Sequence, residues 1–572
     1  MRDRILTTAI YGLFALLVLG LFYTQVLRHF HYSRLSKNNV IRIIPIDGPR
    51  GVIYDRNGVA LVTNRLSFDV AVVYQELRDA KELGDLLNRA LGVSGRDIAR
   101  ALDRASLRPY APVTIVEDID KAKALTLDEA SFDVRGLVIE TRSRRSYPYG
   151  EAGCHLFGYL SEVTEQELER LKDYGYRMRD LIGRSGLERH YDKYLAGVDG
   201  GVQIQVDNRG RQARVLGLKE PESGKDLYLT VDVNLQLACD KILSGKKGAA
   251  IVINPKTGEV LALASHPAFD PNIFVRPDTS DERLRLLRDK KSHPLIDRAI
   301  SGLYAPGSVF KVVTAGSALE TRKINSQTTF NCTGSYRLGN ATFACWKEGG
   351  HGPQEITGGL MNSCNVFFYN TGRAAGVDAM ETYAKLFGFG KPTGIDLPDE
   401  AAGIVPGRLW KRLRKNDTWY EGETLNYAIG QGYLLVTPMQ LLQMMAAVAN
   451  KGTIVSPYIV KRIDKKDIAR RHARSLGLRD STLRMIREGL YKVVNGETGT
   501  AKRVQVKGVT IAGKTGTAQN PQGATHAWFA GFAPFDDPKI CVLVFLEHGG
   551  HGAQAAELAR SVFETAKEKG YL

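Results

Sequence analysis

The chain has 572 residues, 43% of them hydrophobic, with a net charge of +16 and an isoelectric point near 9.4. That length is too great for a single core and predicts two to four domains. The charge calls for an anionic partner, but zinc-finger spacing, an RNP signature and long Lys/Arg runs are all missing, so a nucleic-acid binder is excluded and a basic surface near a membrane or wall polymer is favoured. Six cysteines (154, 239, 332, 345, 364 and 541) are too few for a disulfide scaffold in so long a chain.

Residues Ile5 to Leu27, ILTTAIYGLFALLVLGLFYTQVL, carry no charge. As a helix they span roughly 34 Å, enough to cross a bilayer core of about 30 Å. The alternative is a cleaved signal peptide, but no small-x-small site follows; Tyr23, Gln25 and Arg28 occupy that place. The expectation is an uncleaved anchor. Basic residues lie on both flanks, Arg2 and Arg4 before it and Arg28 and Arg34 after it. The positive-inside rule therefore orients it weakly, and the short tail 1–4 is placed in the cytoplasm.

Past the anchor, residues 40–75 alternate as short strands with a hairpin turn at Asp55-Arg56-Asn57-Gly58. Residues 76–130 read as charged helix, and 162–200 as helix ending in glycines. The segment 202–216, VQIQVDNRGRQARVL, reads as strand. Pro221-Glu222-Ser223-Gly224-Lys225 marks a boundary, giving an N-terminal region 28–224 and a C-terminal domain 225–572. In that domain 226–232 is a strand and 233–243 a helix. Residues 248–265 form two strands around Pro-Lys-Thr-Gly, and the end is a strand, CVLVFLEHG, then a helix. The class is α+β, with helices packed on an antiparallel sheet.

Three short motifs carry the chemistry. The first is Ser308-Val309-Phe310-Lys311, preceded by Tyr304-Ala305-Pro306-Gly307. The Pro-Gly pair and the apolar run predict a helix start, and i, i+3 spacing puts Lys311 beside Ser308. A serine hydroxyl needs a base, and a desolvated lysine supplies one. The second is Ser363-Cys364-Asn365 and the third Lys514-Thr515-Gly516-Thr517 on a strand, where Gly516 admits a close backbone. Each alone is a commonplace pattern: a solvated helix face, a capping turn, a strand end.

In this order the triple resembles the penicilloyl-serine transferase superfamily of penicillin-binding proteins and serine β-lactamases. The resemblance implies that Ser308 attacks a D-Ala-D-Ala carbonyl with Lys311 as base. Ser363 and Asn365 would relay protons and line the cleft, and Lys514 and Thr515 would bind the substrate carboxylate and backbone. The N–H groups of Ser308 and Thr517 would form the oxyanion hole. Residues 50–58 (RGVIYDRNG), 145–148 (RSYP), 158–160 (GYL) and 183–188 (GRSGLE) resemble the N-terminal motifs of class B penicillin-binding proteins. That implies an elongated α+β pedestal ahead of a β-lactamase-like transpeptidase domain. GRSGLERHYDKYLAGVDG and YRLGNATFACWKEGGHG resemble the elongation type. This implies β-lactam binding, an inner-membrane location with the catalytic domain outside, a membrane glycosyltransferase of the shape, elongation, division and sporulation family as partner, and the rod-shape scaffold.

Cys332, Cys345, His351 and Cys364 are spaced C-x12-C-x5-H-x12-C. Three thiolates and an imidazole suit structural zinc, although no C-x2-C knuckle is present. Some elongation-type relatives carry a metal here, which implies Cys345, His351 and Cys364 as ligands with Cys332 as the loosest match. A Cys332–Cys345 disulfide and a plain buried Cys364 remain alternatives. No cofactor is required for acyl transfer itself. His526 reads as structural, His548 and His551 as loop, and Gly430-Gln431-Gly432, which resembles a family loop near the active site, is otherwise only a turn. A D,D-carboxypeptidase, a β-lactam sensor and a non-catalytic scaffold are the competing functions. The sensor needs several spans, and only one is visible; the scaffold needs none of the motif residues that are intact.

Overall fold

The computed structural model describes residues 2–32, 41–107, 109–110, 112–171, 176, 180–206, 212–468, 473–521 and 523–572. Arg34 of the anchor flank and residues 207–211 within the expected strand 202–216 lie outside the described residues. The N-terminal helix Arg2–Phe22 continues as a π-helical turn over Tyr23–Leu27. Its stretch Arg4–Leu27 is long and apolar enough to cross a membrane, and no protein covers it. An all-round apolar helix without a protein partner suits lipid.

The fold divides into two compact units. The first comprises Met1–Gly51, Asn64–Arg144 and Ala196–Gly224. It holds a three-stranded antiparallel sheet of Ile41–Ile46, Gly200–Val206 and Gln212–Lys219. Elsewhere in this unit the strand residues 68–73 pair with Pro112–Ile119. Helices Ala80–Leu91, Gly95–Ser106 and Lys121–Ala130 pack there through Leu83, Leu87, Ile98, Ala105 and Leu127 against Val70 and Val72. Their N-termini are capped by the side chains of Asp79, Ser94 and Asp120. The expectation of charged helix across 76–130 fails at Pro112–Ile119. There a proline and the β-branched run Val113-Thr114-Ile115-Val116 favour extended backbone, and an open strand edge is available to pair with.

The second unit comprises Val52–Thr63, Arg145–Leu195 and Lys225–Leu572. Residues 172–175 and 177–179 of the expected helix 162–200 lie outside the described residues, and the described ones form the short helices Glu165–Leu171, Gly186–His190 and Asp192–Leu195 and the strand Leu181–Gly183 instead. The cause is close backbone packing. A Cβ on Gly158 would lie 1.8 Å from the Ser185 carbonyl, and one on Gly186 would lie 2.5 Å from the Gly158 nitrogen. Nearby, Arg145 and Glu188 form a fully buried ion pair at 2.7 Å. Three of the N-terminal motifs thus meet as one packed node. The Asp55–Gly58 turn forms as expected, with Asp55 Oδ1 accepting from the backbone of Asn57 and Val59.

The centre of this unit is a five-stranded antiparallel sheet. Its strands are β1 (Gly248–Ile253), β2 (Val260–His266), β3 (Ala512–Asn520), β4 (Gly523–Ala533) and β5 (Ile540–Leu546), in the order β2-β1-β5-β4-β3. The flanking helices are α1 (Val233–Leu243), α2 (Lys311–Glu320), α3 (Asn365–Ala375), α4 (Pro438–Ala449), α5 (Asp480–Asn495) and α6 (Gly552–Glu568). One face of the sheet packs on α1 and α6 through Leu235, Leu243, Val562 and Phe563. The other packs on α4, every residue of which is buried. Cover on both faces explains why β1, β2 and β5 read as continuous apolar runs. Thr437 and Gln440 form a capping box that fixes the start of α4. β3, which carries the third motif, is the edge strand, so its outer N–H and C=O groups face away from the sheet.

Candidate active site

Ser308 sits in a 3₁₀ turn, Gly307–Phe310, that feeds directly into α2. With three residues per turn, positions i and i+3 eclipse, so Ser308 and Lys311 project the same way. The turn is held from several sides. Gly307, at φ +53°, donates its N–H to the Gly430 carbonyl at 3.0 Å. A Cβ on Gly430 would come within 2.1 Å of the Gly307 carbonyl, so only glycine permits this approach. Trp528 Nε1 donates to the Ala305 carbonyl at 3.0 Å, and Tyr304 and Val436 exchange two backbone bonds of 2.9 Å. Gly516 of β3 passes beneath; a Cβ there would lie 3.0 Å from the Pro306 carbonyl. Ser308 is half-buried, and among the described residues its hydroxyl has no hydrogen-bond partner.

Lys311 is completely buried. Its Nζ donates to the Ser363 carbonyl and to Asn365 Oδ1, both at 2.7 Å, with Ser363 Oγ at 3.4 Å. Burial pushes its pKa down to about 7, against the pull of the Cys364 and Cys345 thiols. Lys514 is equally buried, and its Nζ donates to Ser363 Oγ at 2.9 Å and to the Thr515 carbonyl at 3.0 Å. Burial, and then the charge on Lys311, push it well below the ordinary lysine range. The Ser363 hydroxyl therefore sits between two amines that cannot comfortably both be ammonium, an arrangement suited to passing a proton.

Local sequence explains how Ser363 gets there. The helix Ile356–Met361, capped by Glu355, stops just before it, and Ser363 takes a left-handed φ of +51°. Such a φ is uncommon for a non-glycine residue. Cys364 then caps α3, its Sγ accepting the Phe367 N–H. The kink turns Ser363 and Asn365 toward Lys311, while Cys364 joins the cysteine cluster. On the third motif, Thr515 shares a hydroxyl hydrogen bond of 2.8 Å with Thr500, and Thr517 Oγ1 accepts from Gly552 N at the start of α6. The Thr517 carbonyl lies against Gly307, where a Cβ would approach it to 2.7 Å, so the Ser308 turn and β3 abut.

The ligand atoms of Cys332, Cys345, His351 and Cys364 lie within 4.8 Å of one another, and the three thiols are buried. His351 Nδ1 is 3.6 Å from both Cys332 Sγ and Cys345 Sγ. The residues come from the end of strand Phe330–Cys332, the residue after Ala341–Ala344, the residue before Gly352–Gln354, and the cap of α3. All six cysteines are free, so the alternative Cys332–Cys345 disulfide is not formed. A hydrogen bond with Cys364 holds the Cys345 thiol well below its usual range and pushes Cys364 up, and burial lowers His351.

Several neighbours carried no decisive local signal. Thr500 and Thr498 reach the site from the segment after α5; Thr498 Oγ1 donates to Asn362 Oδ1 at 2.6 Å, bracing the residue before Ser363. Both read as ordinary loop threonines. Gly430, left without a role on sequence, holds the Ser308 turn; its signal was a glycine pair, both at positive φ (76° and 78°). His526 is buried and accepts the His548 N–H at 3.1 Å, a structural contact.

Residues 248–564 match the penicillin-binding protein transpeptidase domain, and residues 45–229 match the penicillin-binding protein dimerisation domain. Peptidoglycan D,D-transpeptidase MrdA of Salmonella typhimurium is 33% identical, over 96% of this chain and 93% of its own. A penicillin-binding protein (PBP2) of Helicobacter pylori, solved in complex with MreC, is 29% identical with a TM-score of 0.81, covering 93% of this chain and all of that one. A chain from a peptidoglycan synthase complex that coordinates polymerization and crosslinking is 31% identical with a TM-score of 0.77, covering 98% of each chain. The chain belongs to the penicillin-binding protein family, as a class B member of the elongation type, penicillin-binding protein 2.

Proposed function

We propose that this protein is a peptidoglycan D,D-transpeptidase of cell elongation and rod-shape maintenance, acting through an acyl-enzyme on Ser308 and inactivated there by penicillins. The observation that carries the reading is the pair of buried amines, Lys311 and Lys514, bonded around Ser363 on the same side as the nucleophile's turn. A stem peptide ending in D-Ala-D-Ala lies along the free edge of β3, adding a strand through Thr515, Gly516 and Thr517. Lys514 and Thr515 hold its terminal carboxylate. Neutral Lys311 takes the Ser308 proton as Oγ bonds to the penultimate carbonyl carbon. The oxyanion is met by the N–H groups of Ser308 and Thr517. Collapse breaks the peptide bond, and the departing D-Ala amine receives a proton through Lys311, Ser363 and Lys514. An acceptor amine then attacks the ester, loses its proton to the same relay, forms the cross-link and frees Ser308. A β-lactam opens on the same atom, but its leaving amine stays tethered, so the ester persists.

Residues 332–364 fit a structural metal. Cys332, Cys345, His351 and Cys364 are a zinc donor set, and their N···S separations of 3.6 Å are close to the ~3.5 Å edge of a tetrahedron built on zinc–ligand bonds of about 2.0–2.3 Å. Bound there, zinc would supply only cross-linking: all four positions are protein ligands, leaving none open for substrate. Cys364 separates Ser363 from Asn365, so the cluster braces the loop that faces Lys311.

The N-terminal helix is read as a single-pass inner-membrane anchor, with 1–4 cytoplasmic and the pedestal 28–224 and transpeptidase domain 225–572 on the extracytoplasmic side. Because similar chains were solved with MreC and within a peptidoglycan synthase complex, the partners proposed are the elongation scaffold protein and a membrane glycosyltransferase of the shape, elongation, division and sporulation family. The test is product analysis of the full-length protein in detergent with nascent glycan strands. Cross-linked dimers formed with release of one D-Ala each are expected. Free D-Ala without dimers, unchanged by added acceptor strands, would make it a carboxypeptidase instead.

A further inference from the structure

Besides its backbone bonds and the Trp528 contact, the run leading into Ser308 is tied by the Tyr304 side chain to the end of β5. Tyr304 lies four residues before the nucleophile, and its hydroxyl donates to Glu547 Oε1 at 2.8 Å. Glu547 follows β5 directly, and its other oxygen accepts from Arg298 Nε at 3.1 Å. Arg298 is buried and also donates from Nη1 to the His293 carbonyl (3.2 Å) and from Nη2 to the Ser292 carbonyl (2.8 Å), so it is held at three points. The Tyr304 ring packs on Phe545 of β5 at 4.2 Å between centroids and meets the edges of His526 (5.5 Å) and Trp528 (6.3 Å). Burial opposes ionisation of Glu547, but Arg298 and the Tyr304 hydroxyl outweigh it, so its carboxyl sits below the usual range and is an anion at neutral pH. The acceptor of the Tyr304 hydrogen bond is therefore charged, and such bonds are shorter and stronger than neutral ones.

We propose that Glu547 is a positioning residue for Ser308: together with Arg298 it holds the Tyr304 hydroxyl, and through it sets where the turn 304–308 stands over β3. Backbone bonds fix the main chain of the turn at Tyr304 and Gly307, and the Tyr304 hydroxyl adds a side-chain tether to the end of β5. Gly307 is in the left-handed region, at φ +53°, and among the described residues Ser308 Oγ has no hydrogen bond of its own. Between Tyr304 and Ser308 lie only Ala305, Pro306 and Gly307, too short a link to absorb a shift of the phenol. Loss of the tether lets the turn relax away from the attack position while β3, which holds the substrate, stays where it is. Misplacement of a reacting atom by about 1 Å is enough to cost up to ~10²-fold in rate.

The inference rests on Ser308 being the acylated residue, and the test separates the two. Full-length protein in detergent is titrated with a fluorescent penicillin, and the non-covalent dissociation constant and the first-order acylation constant are resolved by rapid mixing. Tyr304→Phe removes one oxygen and leaves the Glu547–Arg298 pair intact; it is expected to lower the acylation constant about tenfold while the dissociation constant stays within about twofold. Glu547→Ala should do the same, and the double variant should be no slower than either single one, because both remove one tether. Should Glu547→Ala fail to fold, Tyr304→Phe decides alone. Wild-type acylation by Tyr304→Phe, a loss confined to the dissociation constant, or additive losses in the double variant would overturn the proposal. Absence of a Ser308-dependent adduct in the wild type would instead overturn the underlying reading.

Discussion

Replacing Lys311 with methionine should lower the rate of Ser308 acylation about a thousandfold, the middle of the range for loss of a positioned general base. Methionine has a similar length and keeps the buried volume beside Phe368, over whose ring the Lys311 ammonium lies at 5.4 Å. A large loss of rate with little change in melting temperature is therefore the expected signature. The same base gives a pH dependence with a definite sign. Burial holds Lys311 near a pKa of about 7, so it is protonated and useless as a base below that value and neutral above it. The wild-type acylation rate should rise with pH up to about 7, close to tenfold per unit well below it, and then level. Stopped-flow acylation from acid to mildly alkaline pH checks this. A flat wild-type profile, or a Lys311→Met variant that keeps the profile, would mean that another group takes the proton.

The second large effect concerns Cys364. On the zinc site proposed above, the Cys364→Ser variant should purify with little zinc, melt at least several degrees lower and acylate at least tenfold more slowly, since loss of a structural ligand would cost much of the folding energy the metal would supply. Its position explains why activity falls as well as stability. Cys364 caps α3 and separates Ser363 from Asn365, the two residues that contact Lys311 Nζ. Cys239→Ser is the control. Cys239 is fully buried in α1, remote in the fold from the cluster, so that variant should lose stability but keep its zinc. Elemental analysis of the wild type, purified without chelator, is expected to find about one zinc per chain, the stoichiometry of a four-ligand site. A metal-free, fully active wild type would remove the bracing role.

Much of this site was legible because its chemistry is local. Ser308 and Lys311 are neighbours on one turn, Ser363 and Asn365 flank one residue, and Lys514 to Thr517 share one strand, so short patterns capture them. The cysteine cluster was legible because its members lie close together in the chain, within 332–364. What was hidden depends on distant packing. Nothing near Ser363 announces a left-handed residue; the kink exists because the helix Ile356–Met361 stops one residue short of it and α3 begins just after. Thr500 is an ordinary threonine until β3 brings Thr515 beside it. Gly430 is only a turn until the Gly307 N–H reaches its carbonyl.

The fold shows the same division. Strands buried on both faces, such as β1 and β5, announce themselves as apolar runs. The strand Pro112–Ile119 was hidden because charged helical patterns surround it and its partner, the strand residues 68–73, lies far back in the chain. The segment 162–200 failed for a different reason. Its helical residues are real but are broken by glycines pressed against other backbone, a contact that no periodicity records.

The most direct measurement is the site of acylation. Wild-type protein and a Ser308→Ala variant are incubated with a fluorescent penicillin, separated by denaturing electrophoresis, digested, and the labelled peptide is mapped by mass spectrometry. A single covalent adduct on Ser308 in the wild type, absent from a folded Ser308→Ala protein, is the predicted result. An adduct that survives the substitution, or none in the wild type, would contradict the assignment of Ser308 as the nucleophile.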